Sequence, residues 1–309
     1  MAKPFEKIFA EATTTPSPHG RGTVSICRRG GSNNNTGSIL VVAINRPKAR
    51  NALSDDTYED LLEVLERAKN DPSIAAVVWT GAGSYFCSGA DVKNKKFDLA
   101  SFQEGDPVLL QPNGRFMMAM VSFPKLICAA VQGPTVGIAA SALLQCDLVY
   151  FSQKAFFWAP FARLSLVPEL TASATLIETM GLSKANEILL LGKRVDAKTA
   201  LDWGICSQVI TDCDLSSGDP FHPNSLASRM CQDIDKRLLS LTNGPATAQV
   251  FCTLVKGARR SRMHQVLLRE LAVLDQRFRN GEVLEAAKQL VIGAQKKKKK
   301  EARAPRSRL

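Results

Sequence analysis

The feature that most constrains the fold is a pair of segments, residues 74–80 (IAAVVWT) and 126–131 (LICAAV), that contain almost no polar side chains. Uninterrupted apolar runs of this length are typical of strands covered on both faces. A glycine-rich turn follows each run, and the segments 54–70 and 138–145 have the character of helices. The alternation predicts an α/β fold in which helices cover parallel strands, as in stacked ββα units.

Capping residues indicate where two of the predicted helices begin. Ser54 is a favourable N-cap for the helix that runs to residue 70, and Asp196 is expected to cap a short helix that ends at Trp203 and Gly204. A last strand is predicted at 205–210.

The segments together predict four regions along the chain. They are a disordered segment rich in Thr, Ser and Pro (1–20), an α/β core beginning with strands at 23–28 and 38–45 (21–215), a region of three or four amphipathic helices (216–293) and a basic tail (294–309).

The positive charge of the chain is concentrated at one end. Of the formal net charge of +11, eight Lys and Arg against one Glu in the last fourteen residues contribute +7. Such a run is typical of a solvated extension, and it contains no aromatic side chain on which a base could stack. Nucleic-acid binding is therefore the hypothesis with the least support, and no membrane span is expected because no long apolar run is present.

The eight cysteines contain no CxxC pair, and most lie in apolar runs, which favours reduced thiols inside the protein and an intracellular location. The three histidines are far apart in the sequence, so no metal site is expected.

Two glycine-containing turns carry the first functional signal. In residues 86–91 (FCSGAD) a glycine lets a ligand approach the backbone closely, and residues 133–138 (GPTVGI) open a helix whose first amides lack partners. Two such amides that converge on one oxygen form an oxyanion hole. Taken singly, each turn is a common strand-to-helix connection.

These turns, together with RPKARNAL at residues 46–53, resemble the enoyl-CoA hydratase and isomerase (crotonase) superfamily, over about residues 23–292. The resemblance implies a spiral of ββα units, a C-terminal helical trimerisation region, a homotrimer or dimer of trimers, and an acyl-CoA substrate without a further cofactor. It assigns the oxyanion hole to the amides of Ala90 and Ile138. Implied substrate contacts are Ser88, Gly89, Asp91, Gly137 and Phe161, although Asp91, like Asp147 and Glu178, also has the character of a structural ion.

Carboxylates distinguish the reactions of this superfamily. The two positions where hydratases carry glutamate are Ser141 and Phe161 here, whereas Glu169 lies where the peroxisomal Δ3,Δ2-enoyl-CoA isomerases carry their catalytic glutamate. The resemblance implies that Glu169 is the catalytic base. The alternative is that Glu169 is the first-turn acid of a helix at 169–180. Ser165 and Leu170 depart from the family pattern, which usually has glycine at both positions.

Several functions remain open at this stage. The first is an isomerase of fatty-acid β-oxidation; the others are a crotonase-fold enzyme acting on another acyl-CoA and a non-catalytic acyl-CoA-binding scaffold. The terminal Ser307-Arg308-Leu309 resembles a peroxisomal targeting signal, which predicts a peroxisomal location and an import receptor as partner.

Overall fold

The computed structural model describes residues 17–19, 21–30, 37–91, 106–286 and 288–289. Most of the predicted N-terminal segment and the whole basic tail lie outside these residues. Ser17–His19 form a strand, so the prediction of disorder is wrong for those three residues. They pair with the next strand through backbone hydrogen bonds, which do not depend on an apolar side-chain pattern.

Ten strands are described. They are β1 (Ser17–His19), β2 (Val24–Arg29), β3 (Ser38–Ile44), β4 (Ile74–Gly81), β5 (Leu126–Val131), β6 (Thr135–Val136), β7 (Leu148–Ser152), β8 (Phe156–Trp158), β9 (Val195–Asp196) and β10 (Gln208–Ile210).

The α-helices are α1 (Asp55–Asn70), α2 (Pro112–Ser122), α3 (Ile138–Leu143), α4 (Ala172–Met180), α5 (Leu182–Leu189), α6 (Ala197–Asp202), α7 (Leu226–Ile234) and α8 (Gly244–Arg279). Both predicted N-caps are confirmed: the Ser54 hydroxyl accepts from the Thr57 amide, and the Asp196 carboxylate accepts from the Thr199 amide. The region predicted as three or four helices contains α7, the 36-residue helix α8 and a further helical stretch at 282–286. Gly257 does not break α8, because the neighbouring Lys and Ala are strong helix formers.

The strands form two sheets. The large sheet has the order β1-β2-β3-β4-β5-β7-β10, and its pairs from β3 to β10 are parallel. The small sheet has the order β6-β8-β9. The predicted α/β fold with parallel strands covered by helices is confirmed.

The core lies on both faces of the large sheet, which explains the apolar runs of β4 and β5. Val77 and Trp79 of β4 pack into a cluster with α1 and α2, whereas Ala76 and Val78 pack on the opposite face with α7. Because consecutive strand residues face opposite sides, a strand covered twice must be apolar throughout. The carboxyl ends of the parallel strands β4 and β5 meet at one edge, where both glycine turns begin.

Candidate active site

The first turn follows β4 and is held by the segment between β3 and α1. The Leu53 amide donates to the Gly89 carbonyl (2.8 Å), and the Asp91 amide donates to the Leu53 carbonyl (2.9 Å). The Ser88 amide donates to the Arg50 carbonyl (3.0 Å). Ala90 lies between these anchored residues.

Side chains of the same segment hold the turn from within. The buried Asn51 side-chain amide donates to the carbonyls of Ala82 (2.8 Å) and Tyr85 (2.6 Å). Arg46 forms an ion pair with the buried Asp91 carboxylate (2.8 Å). Asp91 thus has the structural role that its residue type suggested, and its contact with substrate stays a prediction.

The same holds for the two other carboxylates with a predicted structural role. Asp147 accepts from the Ile127 amide (2.8 Å) and from Lys256 (2.7 Å), and Glu178 pairs with Arg259 and Arg262.

The second turn follows β5 and is bonded to the first. The Gln132 side-chain amide donates to the carbonyls of Gly81 (2.7 Å) and Tyr85 (2.8 Å). The Val136 amide donates to the Cys87 carbonyl (3.0 Å), in a short parallel bridge between the turns. Helix α3 then begins at Ile138.

The two turns touch at their glycines. A Cβ atom on Gly89 would lie 2.9 Å from the Val136 carbonyl oxygen and 3.8 Å from the Gly137 Cα. Both glycines have positive φ, +88° for Gly89 and +61° for Gly137, a conformation that glycine adopts without steric cost. The predicted donors, Ala90 and Ile138, each follow one of these touching glycines.

The amides next to these donors are occupied. Those of Gly89, Asp91 and Gly137 donate to the Cys87 thiol, the Leu53 carbonyl and the Trp158 carbonyl. For the amides of Ala90 and Ile138, the described part of the chain provides no acceptor. Two unused amides thus lie on touching segments, and their assignment as donors to a developing oxyanion stays a prediction.

Glu169 lies in the loop before α4 and is half-buried. Helix α4 begins at Ala172 with Thr171 as N-cap, so the alternative that Glu169 belongs to its first turn is wrong. The pKa of Tyr58, a buried residue of α1, is raised well above its usual value by burial and then by the charges of Glu169 and Cys87. Glu169 and the first turn therefore lie within electrostatic range of the same hydroxyl.

The loop keeps a left-handed backbone without glycine. Ser165, Leu170 and Thr171 have φ of +53°, +54° and +65°. This conformation costs a non-glycine residue about 1–2 kcal/mol. The two departures from the family pattern, Ser165 and Leu170, therefore fall where glycine would relieve strain. Leu170 is fully buried and packs in the main core.

Glu270 of α8 holds this loop, and the sequence reasoning missed it. Its carboxylate accepts from the amides of Thr171 (2.6 Å) and Ser173 (2.9 Å) at the start of α4. Burial raises the pKa of Glu270 to about 7, against the opposing effect of these hydrogen bonds. A signal was present, since Glu270 falls on the buried stripe of α8 formed by Met263, Leu267, Leu271 and Leu274.

The hydratase positions contain no acid. Ser141 is fully buried in α3, and its hydroxyl has no hydrogen-bond partner among the described residues. Phe161 is also buried and packs in the core, so its predicted contact with substrate stays a prediction. Activation and protonation of a water molecule need positioned acid and base groups, which these two side chains do not supply.

All eight cysteines are free thiols, and six are buried. Burial raises the pKa of Cys87, next to the first turn, to about 12, so this thiol stays protonated near neutral pH. Within the ranges that the structure describes, no cluster of three His, Cys, Asp or Glu side chains could hold a metal ion. No helix there is both long and apolar enough to cross a membrane.

The parallel sheet covered by helices and the two joined turns agree with the crotonase fold. The model of the family "Enoyl-CoA hydratase/isomerase" matches residues 34–246, and the chain belongs to this family.

Named relatives are consistent with this assignment. The chain is 36% identical to mouse "Enoyl-CoA delta isomerase 3, peroxisomal" over 174 residues, which cover 56% of this chain and 55% of the relative. It is 30% identical to human "Enoyl-CoA delta isomerase 2" over 253 residues, which cover 80% of this chain and 59% of the relative. The chain thus spans little more than half the length of these curated relatives.

Among solved structures, a putative enoyl-CoA hydratase/isomerase from Acinetobacter baumannii is similar with a TM-score of 0.72 and 28% identity. The match covers 87% of this chain and 98% of that one.

Proposed function

We propose that this protein is an enoyl-CoA isomerase that moves a 3-enoyl-CoA double bond to the 2-trans position. The Glu169 carboxylate removes a proton from C2 of the thioester, and the electrons shift into a dienolate. The same carboxylic acid then returns the proton to C4. The product is an isomer of the substrate, so the reaction needs no redox partner, and coenzyme A enters as part of the substrate.

The amides of Ala90 and Ile138 stabilise the negative charge that develops on the thioester oxygen. A well-placed donor of this type contributes about 3 kcal/mol to the transition state. Ile138 adds the partial positive charge of a helix N-terminus, because it is the first residue of α3.

The observation that carries the proposal is the distribution of acids around the oxyanion turns. The two hydratase positions hold Ser141 and Phe161, while the charge of Glu169 contributes, after burial, to the raised pKa of Tyr58, as does that of Cys87 in the first turn. One carboxylate suffices for a proton shift, whereas hydration also requires a water molecule to be activated. The names of the mouse and human relatives agree with this choice.

Product analysis tests the proposal. We expect the protein to convert 3-hexenoyl-CoA into the conjugated 2-trans-hexenoyl-CoA, and to form no 3-hydroxyhexanoyl-CoA from the 2-trans isomer in water. Hydration without isomerisation would contradict the assignment. Binding of the thioester without any turnover would favour the scaffold alternative.

We further propose that the active form is a trimer or a dimer of trimers. The first half of α8 exposes four large apolar side chains, Val250, Phe251, Leu254 and Val255, each more than half exposed. Apolar patches of this kind mark contact surfaces. Sedimentation equilibrium should give three or six times the mass of the chain, and a monomer at micromolar concentration would contradict this proposal.

We place the proposed reaction in peroxisomal fatty-acid β-oxidation. The name of the mouse relative and the Ser307-Arg308-Leu309 segment support this location. Removal of these three residues should abolish peroxisomal import and binding to the import receptor. Unchanged import would contradict the role of this segment.

A further inference from the structure

The loop that carries Glu169 is held by a carboxylate from a distant part of the sequence. Leu170 and Thr171 both have left-handed backbones, which non-glycine residues keep only where their surroundings hold them. The Glu270 carboxylate accepts from the Thr171 amide with one oxygen (2.6 Å) and from the Ser173 amide with the other (2.9 Å). Glu270 is almost fully buried, so water does not compete for these bonds.

A second contact, from a residue that precedes the loop in the sequence, also holds Thr171. The Gln145 side-chain amide, two residues after α3, donates to the Thr171 hydroxyl (2.6 Å). Gln145 carries no charge. Of the two groups that hold Thr171, only Glu270 can therefore change its bonding by gaining or losing a proton.

We propose that Glu270 is a positioning residue for the reaction, whose ionised carboxylate fixes the backbone of Leu170 and Thr171 and thereby holds Glu169 towards the oxyanion turns. This inference rests on the proposed isomerase function, because it assigns Glu169 as the group that is positioned. Glu270 contacts the loop backbone and acts on the reaction through Glu169.

The Glu270 carboxylate accepts both bonds, so the anchoring of the loop should respond to pH. An ionised carboxylate accepts both amides, whereas a protonated one turns one oxygen into a donor that cannot accept an amide well. The pKa of Glu270, raised by burial to about 7, places this change near neutral pH. As pH falls through this range, the loop loses one of its two bonds to Glu270.

Charged groups on the surrounding elements are engaged elsewhere, and burial and hydrogen bonds alone account for the shift. Glu169 is the nearest along the loop. The others pair as follows: Glu178 of α4 with Arg259 and Arg262, Asp275 of α8 with Arg279, Arg115 of α2 with Glu59, Asp147 with Lys256, and His264 with the Ser122 hydroxyl.

The test compares E270Q with D275N as a matched control. Asp275 lies on the same helix and also accepts a backbone amide from another segment, that of Val108 (3.2 Å), but it does not contact the Glu169 loop. Turnover of 3-hexenoyl-CoA is measured between pH 5.5 and 8.5. In parallel, backbone hydrogen exchange is measured for peptides covering residues 166–176.

We expect E270Q to lower kcat by roughly tenfold or more with little change in KM, since small displacements of a catalytic group have effects of this size. Its profile should lack the fall in kcat near pH 7 that the parent protein shows, and residues 166–176 should exchange faster. D275N should retain the parent profile and exchange. An E270Q variant with the parent kcat and profile, or an equal loss in D275N, would overturn the proposal.

Hydrogen exchange separates this inference from the proposed function. If the parent protein shows no isomerase turnover, the proposed function and the role of Glu270 in it both fail. If residues 166–176 then exchange faster in E270Q but not in D275N, Glu270 still anchors the loop. If they exchange at the parent rate in E270Q, the anchoring role is wrong as well.

Discussion

In the two turns that present the amides, left-handed backbone falls on Gly89 and Gly137; in the loop that presents Glu169, it falls on Leu170 and Thr171. Glycine adopts this conformation without strain, so the turns are built by their own sequence. The loop is strained locally and is held by Glu270, about 100 residues further along the chain. The proposed oxyanion donors and the proposed base are therefore positioned by different means.

This difference determines how the turns and the Glu169 loop respond to the loss of a bond or to a change of pH. The turns are joined to each other and to the 46–53 segment by backbone hydrogen bonds and by the side-chain amides of Asn51 and Gln132, so the loss of one bond leaves others in place. The Glu169 loop is held by Gln145 and by the buried Glu270 carboxylate, and the charge of Glu270 changes near neutral pH. We expect the donors to be insensitive to pH and the base to be sensitive to it.

The largest effect is expected at the group that moves the proton. E169Q keeps the size of the side chain and removes its basicity, so kcat should fall by about 10²–10⁴, the usual contribution of a general base. Stopped-flow measurement of 3-hexenoyl-CoA turnover checks this. E178Q, which changes an ion pair on the exposed side of α4, should keep the parent rate. Equal rates in E169Q and the parent protein would remove Glu169 from the mechanism.

The contact between the two turns can be broken at Gly89. In G89A the new Cβ would lie 2.9 Å from the Val136 carbonyl oxygen at a φ of +88°, so the turns must separate. We expect about a 10²-fold loss of kcat, the effect of losing an oxyanion donor, and a clear loss of stability.

The control for G89A is G22A. Gly22 has a similar φ of +79°, but nothing lies within 4 Å of its Cβ position. G22A should lose about 1 kcal/mol of stability from strain alone and keep its turnover. Similar kinetics in the two variants would show that the contact between the turns is unimportant.

The third prediction concerns stability against pH. The folded-state pKa of Glu270 is raised from 4.5 to about 7, so the folded protein binds the Glu270 proton more tightly than the unfolded chain does. The stabilisation of the folded state by this proton is fully present below pH 4.5 and is lost as pH rises to 7. This change amounts to about 3 kcal/mol, and it should be absent in E270Q. Urea unfolding at pH 5, 6 and 7 measures the slope. An E270Q variant with the parent slope would assign the dependence to other groups.

The smallest effect is expected at Ser165. S165G relieves left-handed strain (φ +53°) and should raise the free energy of unfolding by about 0.5 kcal/mol, since the greater freedom of unfolded glycine offsets part of the gain. L170G should have the opposite sign and destabilise by about 2 kcal/mol, because it removes a fully buried side chain. Thermal unfolding of both variants checks the contrast. A destabilised S165G would show that the serine has favourable contacts at this position.

The elements that could be predicted from sequence are those whose signals are local. The apolar runs of β4 and β5, the Ser54 and Asp196 caps and the two glycine turns depend on residues that are close together in the chain. The start of α4 was misplaced by three residues, because Leu170 and Thr171 interrupt the helix with a conformation that their residue types disfavour.

The role of Glu270 could not be assigned from sequence, because its signal is not local. Its place on the apolar stripe of α8 marks it as buried, but its partners are backbone amides, and a backbone amide carries no sequence signature. Ser17–His19 were missed on similar grounds, since an edge strand that pairs with one neighbour needs no apolar pattern. Contacts between a side chain and a distant backbone are the part of this site that requires a structure.

The most direct test of the central claim follows the proton itself. If one carboxylate carries it from C2 to C4, turnover of 3-hexenoyl-CoA deuterated at C2 in ordinary water should give a product in which a measurable fraction carries deuterium at C4. Nuclear magnetic resonance of the product detects it. Product with only solvent hydrogen at C4, at every stage of the reaction, would contradict transfer by a single acid.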